Sequence, residues 1–380
     1  MRLGSAFVTL SILLLTAALG RTSSAGTAAS APVPASTGRQ TVLATPHKVS
    51  NTARTTRRWS GALDPGSKTQ VTHAFFADYV PAGTVAPHSS GNPNTCKPGT
   101  TSAAYRAATI GAVNFMRDLA GLAPVSQATS EAAPAQAAAL IMAANHSLSH
   151  SPPSNWRCWT KPGHDGAGRS NLAYGFITAG STIRGYMSEP GASNLEVGHR
   201  RWILNPFGRR MGVGAVQDAE ALTVINGFDT SRPNPAYVGW PTSGWFPYPL
   251  EPDQRWSLSA GDSRTRFGHA RVTVLDGSTP VAVRREAPVY GYGQPTLVWE
   301  MPPVHNGHTY SVRVTGMTRS GVKGTFSTSY KTHLFTPVNA TAPLKSSAPA
   351  PTTRIPVAVQ PSSAGSTTTS CFLLVLCSSG

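Results

Sequence analysis

The segment Gly198-His199-Arg200-Arg201-Trp202-Ile203-Leu204-Asn205-Pro206 constrains the fold of this chain more than any other stretch. It sets one histidine and two arginines against three bulky apolar side chains. It closes on a proline, which cannot continue a helix or a central strand. An element with that alternation must bury one side and stop abruptly. A second histidine, His150 in Leu148-Ser149-His150-Ser151-Pro152, also stands just before a proline. Two histidines so placed are predicted to face each other across a cleft.

The N-terminus reads as a secretory signal over residues 1–25. Arg2 supplies the positive charge, Phe7 to Leu19 is an apolar run, and Ser23-Ser24-Ala25 is a cleavage site. The run is shorter than the ~20 residues needed to cross a bilayer. A secreted, extracellular location permits disulfides. Four cysteines (Cys96, Cys158, Cys371 and Cys377) allow three pairings, among them Cys96 with Cys158 around a helical region.

The formal net charge of +16 invites a nucleic-acid reading. The excess is spread along the chain, however: +6 over residues 1–95, +3 over 96–230 and +7 over 231–380. A specific nucleic-acid protein clusters its basic residues. The expectation is no specific nucleic-acid partner and a weak general attraction to anionic surfaces.

Residues 26–95 are dominated by Ala, Thr, Ser, Pro and Gly and read as a mostly disordered linker, with order beginning near Cys96 and aromatics at 75–80 packing onto the domain. Tyr105 to Ala120 carries an apolar stripe at helical spacing, closed by Gly121. An alanine-rich helix is predicted from Ser130, its cap, to His150. That would place His146 and His150 on one helical face, one buried and one solvated. Ile183 to Ser188 reads as a further helix. Met211 to Val216 and Ala221 to Ile225 read as paired strands. The segment 240–249, with three prolines and aromatic residues, reads as a connector. Short β runs follow at 270–275, 280–283, 296–299 and 310–315. The fold class is therefore α+β, with a first domain at 96–240. A small antiparallel β-sandwich of immunoglobulin-like kind follows at 250–337, without an inter-sheet bridge, and then a disordered Pro/Ser/Thr-rich tail at 338–380.

The order of motifs resembles the CAP superfamily (cysteine-rich secretory proteins, antigen 5 and pathogenesis-related 1 proteins; the SCP-like domain), in its bacterial secreted branch. The residues that carry the resemblance are Asn114-Phe-Met-Arg117 leading to Gly121-Leu-Ala-Pro124, Ser149-His150, Asn171-Leu172-Ala173, Gly198-His199-Arg200 with Ile203-Leu204-Asn205-Pro206, and Met211-Gly212-Val213-Gly214. The resemblance implies an α–β–α sandwich with a cleft lined by two histidines and two acids. His150 and His199 match the histidines. Glu189, in Tyr186-Met-Ser-Glu189, matches the acid between them, with Glu196 as the alternative. The other acid, which normally precedes Asn-Leu-Ala, is replaced by Ser170.

His150, Ser170, Glu189, Glu196 and His199 are thus the expected cleft residues. His150, His199 and Glu189 are the candidate metal ligands, for zinc or another divalent ion, in a weak and open site. The same three are the candidate catalytic residues, although a general base would lack its usual orienting partner at position 170. The favoured function is non-catalytic binding of an extracellular lipid, cell-wall component or protein. The alternatives are a metal-dependent hydrolase or peptidase and a surface adhesion or structural protein. Arg200 and Arg201 read as a solvated charge pair, Trp202, Ile203 and Leu204 as core, and His164 as exposed in a Gly-rich loop. Glu189, just before Pro190, reads either as a site residue or as a solvated helix-terminal acid. Asn145 and Asn339 fit the glycosylation sequon.

Overall fold

In the computed structural model, residues 60–176 and 178–339 are described. The signal segment, residues 26–59 of the predicted linker, Cys371, Cys377 and nearly all of the predicted tail lie outside them. Order starts earlier than the composition suggests. Ser67 caps helix α1 (Lys68–Ala74), and the chain winds on through Phe75–Tyr79 and Val80–Thr84. Phe75 packs on Phe115 with ring centroids 6.1 Å apart, and the Tyr79 hydroxyl donates to Gly180 O at 3.2 Å. The aromatics at 75–80 do pack onto the domain, and the helix forms because they have that surface to bury.

Helix α2 (Ala103–Leu119) matches the predicted stripe and ends where Gly121 takes φ +70°. After strand β1 (Ser126–Gln127) comes α3 (Ala132–Asn145). The predicted Ser130 cap is absent, because Thr129–Glu131 forms a 3-10 turn and Glu131 precedes α3. The helix also stops earlier than predicted. His146 adopts a left-handed conformation (φ 48°), so His146 and His150 do not share a helical face. His146 hydrogen-bonds Tyr174 instead, at 2.6 Å. The Asn145 amide is engaged with Ile141 O and with the Arg157 backbone, which leaves no free nitrogen for a glycan. Next come α4 (Lys161–Ala167), which places the half-buried His164 on a helix, not in a loop, then β2 (Ser170–Tyr174), α5 (Ala179–Ser188), α6 (Gly198–Ile203), β3 (Arg210–Val216) and β4 (Ala219–Thr223).

The strands form a sheet in the order β1-β3-β4-β2. Ala219 and Ala221 face α3 and α4, while Leu222 faces the cluster built by α2 and α5. This is the expected α–β–α sandwich. Gly212 and Gly214 explain its tightness. A Cβ on Gly214 would sit 2.2 Å from Gln136 N, and one on Gly212 would sit 2.4 Å from Glu131 Cβ. Only glycine lets α3 lie this close to β3. The Asn114 and Arg117 motif residues are stitches. Asn114 exchanges two hydrogen bonds with the Val125 backbone, and buried Arg117 donates to the carbonyls of Ala123, Ile203 and Asn205.

The remaining strands are β5 (Tyr237–Trp240), β6 (Gly244–Pro247), β7 (Arg255–Ala260), β8 (Thr265–Arg266), β9 (Arg271–Asp276), β10 (Thr279–Val281), β11 (Arg284–Arg285), β12 (Thr296–Glu300), β13 (Thr309–Arg319) and β14 (Val322–Phe335). They build two sheets, β11-β12-β7-β5 and β10-β9-β13-β14-β6, with β8 on β13. The segment 240–249 is therefore not merely a connector. It completes β5 and supplies β6, both edge strands, where proline is tolerated. Trp240, Trp256, Trp299, Phe246 and Val312 fill the space between the sheets. One apolar cluster runs without a break from Val71 and Phe115 to these tryptophans.

Cys96 and Cys158 form a disulfide, 62 residues apart, between the loop preceding α2 and the segment between α3 and α4. Replacing both by serine should lower stability by about 4 kcal/mol in the loop-entropy model. Denaturant unfolding of the oxidised wild type and of the Cys96→Ser/Cys158→Ser variant measures the difference.

Candidate functional site

Glu189 ends α5 in a left-handed conformation, φ 55°, and is fully buried. Its two carboxylate oxygens are both used. One accepts from His199 Nδ1 at 2.7 Å and the other from the Arg200 backbone N–H at 2.8 Å. The reading of Glu189 as a solvated helix-terminal acid is therefore wrong. Val197, at the entry to α6, also has a positive φ, 50°. Two strained residues thus bracket the turn from α5 to α6, and such strain persists only where surrounding contacts over-determine it.

His199 is nearly enclosed. The Tyr186 ring stacks on it with centroids 5.4 Å apart, and Asn171 Nδ2 donates to its carbonyl at 3.1 Å. Tyr186 in turn donates to Asn171 O at 3.2 Å. The carboxylate fixes the imidazole with its proton on Nδ1, which leaves Nε2 facing away from Glu189. His150 lies opposite, its ring centroid 6.4 Å from that of His199. Its Nδ1–H donates to Ala167 O at 3.1 Å. Burial lowers the His150 pKa below its usual value; the Ala167 hydrogen bond opposes this and the neighbouring His199 adds to it. The two predicted histidines lie beside each other, each with Nδ1 engaged.

The other predicted residues are placed elsewhere. Ser170 is buried and donates to Gly166 O at 2.7 Å, with Thr223 Oγ1 at 3.1 Å. It serves α4 and the sheet and does not orient an imidazole. Glu196 sends its charge toward Arg201 and Tyr292. Among the described residues no three His, Cys, Asp or Glu side chains are grouped to hold a metal ion. Glu189 sits behind His199 and spends both oxygens there, so the donor set does not fit the expected zinc site.

Arg200 and Arg201 correct the solvated-pair reading most sharply, since both are buried. Arg200 donates to Met187 O at 2.8 Å and across the domain boundary to Ser257 Oγ at 2.9 Å. Arg201 donates to Val289 O and Gln294 O, both at 2.9 Å. Desolvation pulls each guanidinium down to about 10, still charged at neutral pH. From the sandwich, Arg255 returns the clamp. One Nη serves the carbonyls of Glu189, Gly191 and Asn194, and its Nε pairs with Glu300 at 2.7 Å. Ile203 and Leu204 are core as expected, whereas Trp202 is half-exposed.

Residues 110–225 match the family model described as CAP, the cysteine-rich secretory protein family. The chain carries a CAP domain. No curated protein matches the chain. Among solved structures, a similarity is found to PcoC, described as a methionine-rich copper resistance protein from Escherichia coli. It is 14% identical, covers 25% of this chain and 92% of that one, and has a TM-score of 0.21, too low to carry fold or function across.

Glu220, on β4, is a buried acid that the strand pattern hid: the apolar run is visible from Ala221 onward, one residue after it. It takes a short hydrogen bond from Tyr105 and lies near Tyr186, while Oε1 is buried without a partner. Desolvation pushes its carboxyl up to about 7, against an opposing pull from the Tyr105 hydrogen bond. A raised carboxyl pKa means the folded chain holds a proton that the unfolded chain releases. Stability is therefore lost as pH rises from the unfolded value toward the folded one. Keeping Glu220 charged above pH 7 costs on the order of 3 kcal/mol. Glu220→Gln should flatten the dependence of thermal stability on pH between 5 and 8, which calorimetry at several pH values measures.

Arg255→Ala removes three carbonyl contacts on the strained turn and leaves Glu300 unpaired. A loss of roughly 2–4 kcal/mol is expected, in the range of broken buried charged contacts. The same variant should broaden the His199 imidazole NMR signal while leaving far-UV circular dichroism unchanged.

Proposed function

We propose that this CAP-domain protein is extracellular and acts as a non-catalytic binder, engaging a lipid, cell-wall component or protein at the cleft between His150 and His199. CAP proteins are generally extracellular, and among the described residues no helix is long and apolar enough to cross a membrane. The observation that carries the reading is the division of labour around His199. Its one acid is buried behind it and fully hydrogen-bonded, and the second family acid is a serine turned toward Gly166. What remains beside His199 is the His150 imidazole, its ring centroid 6.4 Å away, a pair that donates or accepts hydrogen bonds without a second carboxylate to drive proton transfer. Equilibrium binding of the full chain should be measured against fatty acid and sterol vesicles, purified cell-wall polymer and an extracellular protein extract. At least one should bind, and His150→Ala/His199→Ala should weaken it by about tenfold or more, roughly 1.4 kcal/mol. No binding to any class, or affinity untouched by the double substitution, overturns the proposal.

One geometry favours a second reading. The 2.7 Å contact between Glu189 and His199 Nδ1 is that of an oriented general base with Nε2 open. A hydrolase of this kind would cleave members of a peptide and ester panel, and His199→Ala would reduce turnover by at least about 100-fold. Turnover equal in wild type and variant counts against it.

A further inference from the structure

Helix α6 also meets the sandwich through Gly198 and Trp202, and a loop of the sandwich runs beside both. A Cβ on Gly198 would meet the Tyr292 ring at 3.1 Å, and one on Gly293 would come within 3.7 Å of Trp202. The loop is held there by Arg201, whose guanidinium binds the carbonyls of Val289 and Gln294 and lies 5.5 Å from the Tyr292 ring centroid. On the other side, Phe228 stacks on Trp202 with centroids 6.0 Å apart. Phe228 is 43% exposed and Tyr290, two residues before Tyr292, is 44% exposed. An arginine stands at each end. Arg266 lies over Tyr290 at 5.5 Å, and Arg209, 60% exposed, flanks Phe228 through Asp229. The neighbouring acids Glu196 and Asp229 each face an arginine of the same region.

We infer that this strip, built jointly by the CAP domain and the sandwich, binds an acidic polysaccharide. Sugar rings present an apolar C–H face that stacks on exposed aromatic rings, and their hydroxyl rims suit the polar edges of tyrosine and tryptophan. The terminal arginines supply planar, paired donors for carboxylate groups along the polymer. The net charge of +16 draws such a polymer to the surface.

The test uses the full chain and three probes: polygalacturonate, neutral dextran, and poly-glutamate as an acidic peptide. Polygalacturonate should bind measurably and dextran weakly or not at all. Phe228→Ala/Tyr290→Ala should weaken polygalacturonate binding by about tenfold or more. Arg209→Gln/Arg266→Gln, which leaves the rings in place, should do the same. Val322→Ala, an exposed residue on β14, should change nothing. In the double aromatic variant the His150 and His199 imidazole signals should titrate as in the wild type, which separates failure of this surface from failure of the cleft reading. Absence of polygalacturonate binding, affinity that neither double variant lowers, or poly-glutamate binding as tightly as the polysaccharide overturns the inference.

Discussion

The buried charge cluster around the turn from α5 to α6 is the constraint on which the rest of the structure depends. Glu189 accepts from His199 and from the Arg200 backbone, Arg200 reaches Ser257, and Arg255 returns from the sandwich to the carbonyls of that turn. Guanidinium groups are costly to bury, and they stay buried here because almost every donor has a carbonyl, a hydroxyl or a carboxylate to serve. Removing any one partner leaves a desolvated charge behind.

That arrangement makes the site a joint product of the α–β–α layers and the β-sandwich packed on them. The α–β–α sandwich supplies both histidines and Glu189, but the turn that starts at left-handed Glu189 is held by Arg255, through the carbonyls of Glu189, Gly191 and Asn194. A cleft fixed in this way is pre-organised: His199 has one tautomer and one ring orientation, set before any ligand arrives. Arg201, the next residue after Arg200, carries the sandwich loop against α6, so adjacent positions of one helix anchor both the buried charge cluster and the outer aromatic strip. The continuous apolar cluster through both domains is the packing counterpart of this polar clamp.

Much of the fold was legible in the chain. The α2 stripe, the strands β3 and β4, the Gly212 and Gly214 positions and the short β runs of the sandwich follow from periodicity and turn chemistry, which are local. What was illegible had non-local causes. Strand β14, Val322–Phe335, carries mostly Thr, Ser, Lys and Gly on its outward face and is not among the β runs read from the sequence; pairing with β13 and β6 makes it a strand. Helix α1 is held in place by the turn that follows it, where Phe75 and Tyr79 pack on Phe115. The segment 240–249 carries prolines that exclude a central strand but not the two edges it occupies.

The site divides along the same line. From the sequence alone came the pairing of His150 with His199, the match of Glu189, and the loss of a carboxylate at Ser170, because motif order and residue identity are properties of the chain itself. Only the tertiary structure decided that Ser170 turns to Gly166, that Glu189 is fully buried, that Glu220 is a buried acid, and that Arg200 and Arg201 are interior clamps and not a solvated pair. The physical reason is that an arginine reads the same in a sequence whether water or a partner domain satisfies its donors, and the choice is made by packing that brings residues more than fifty positions apart together.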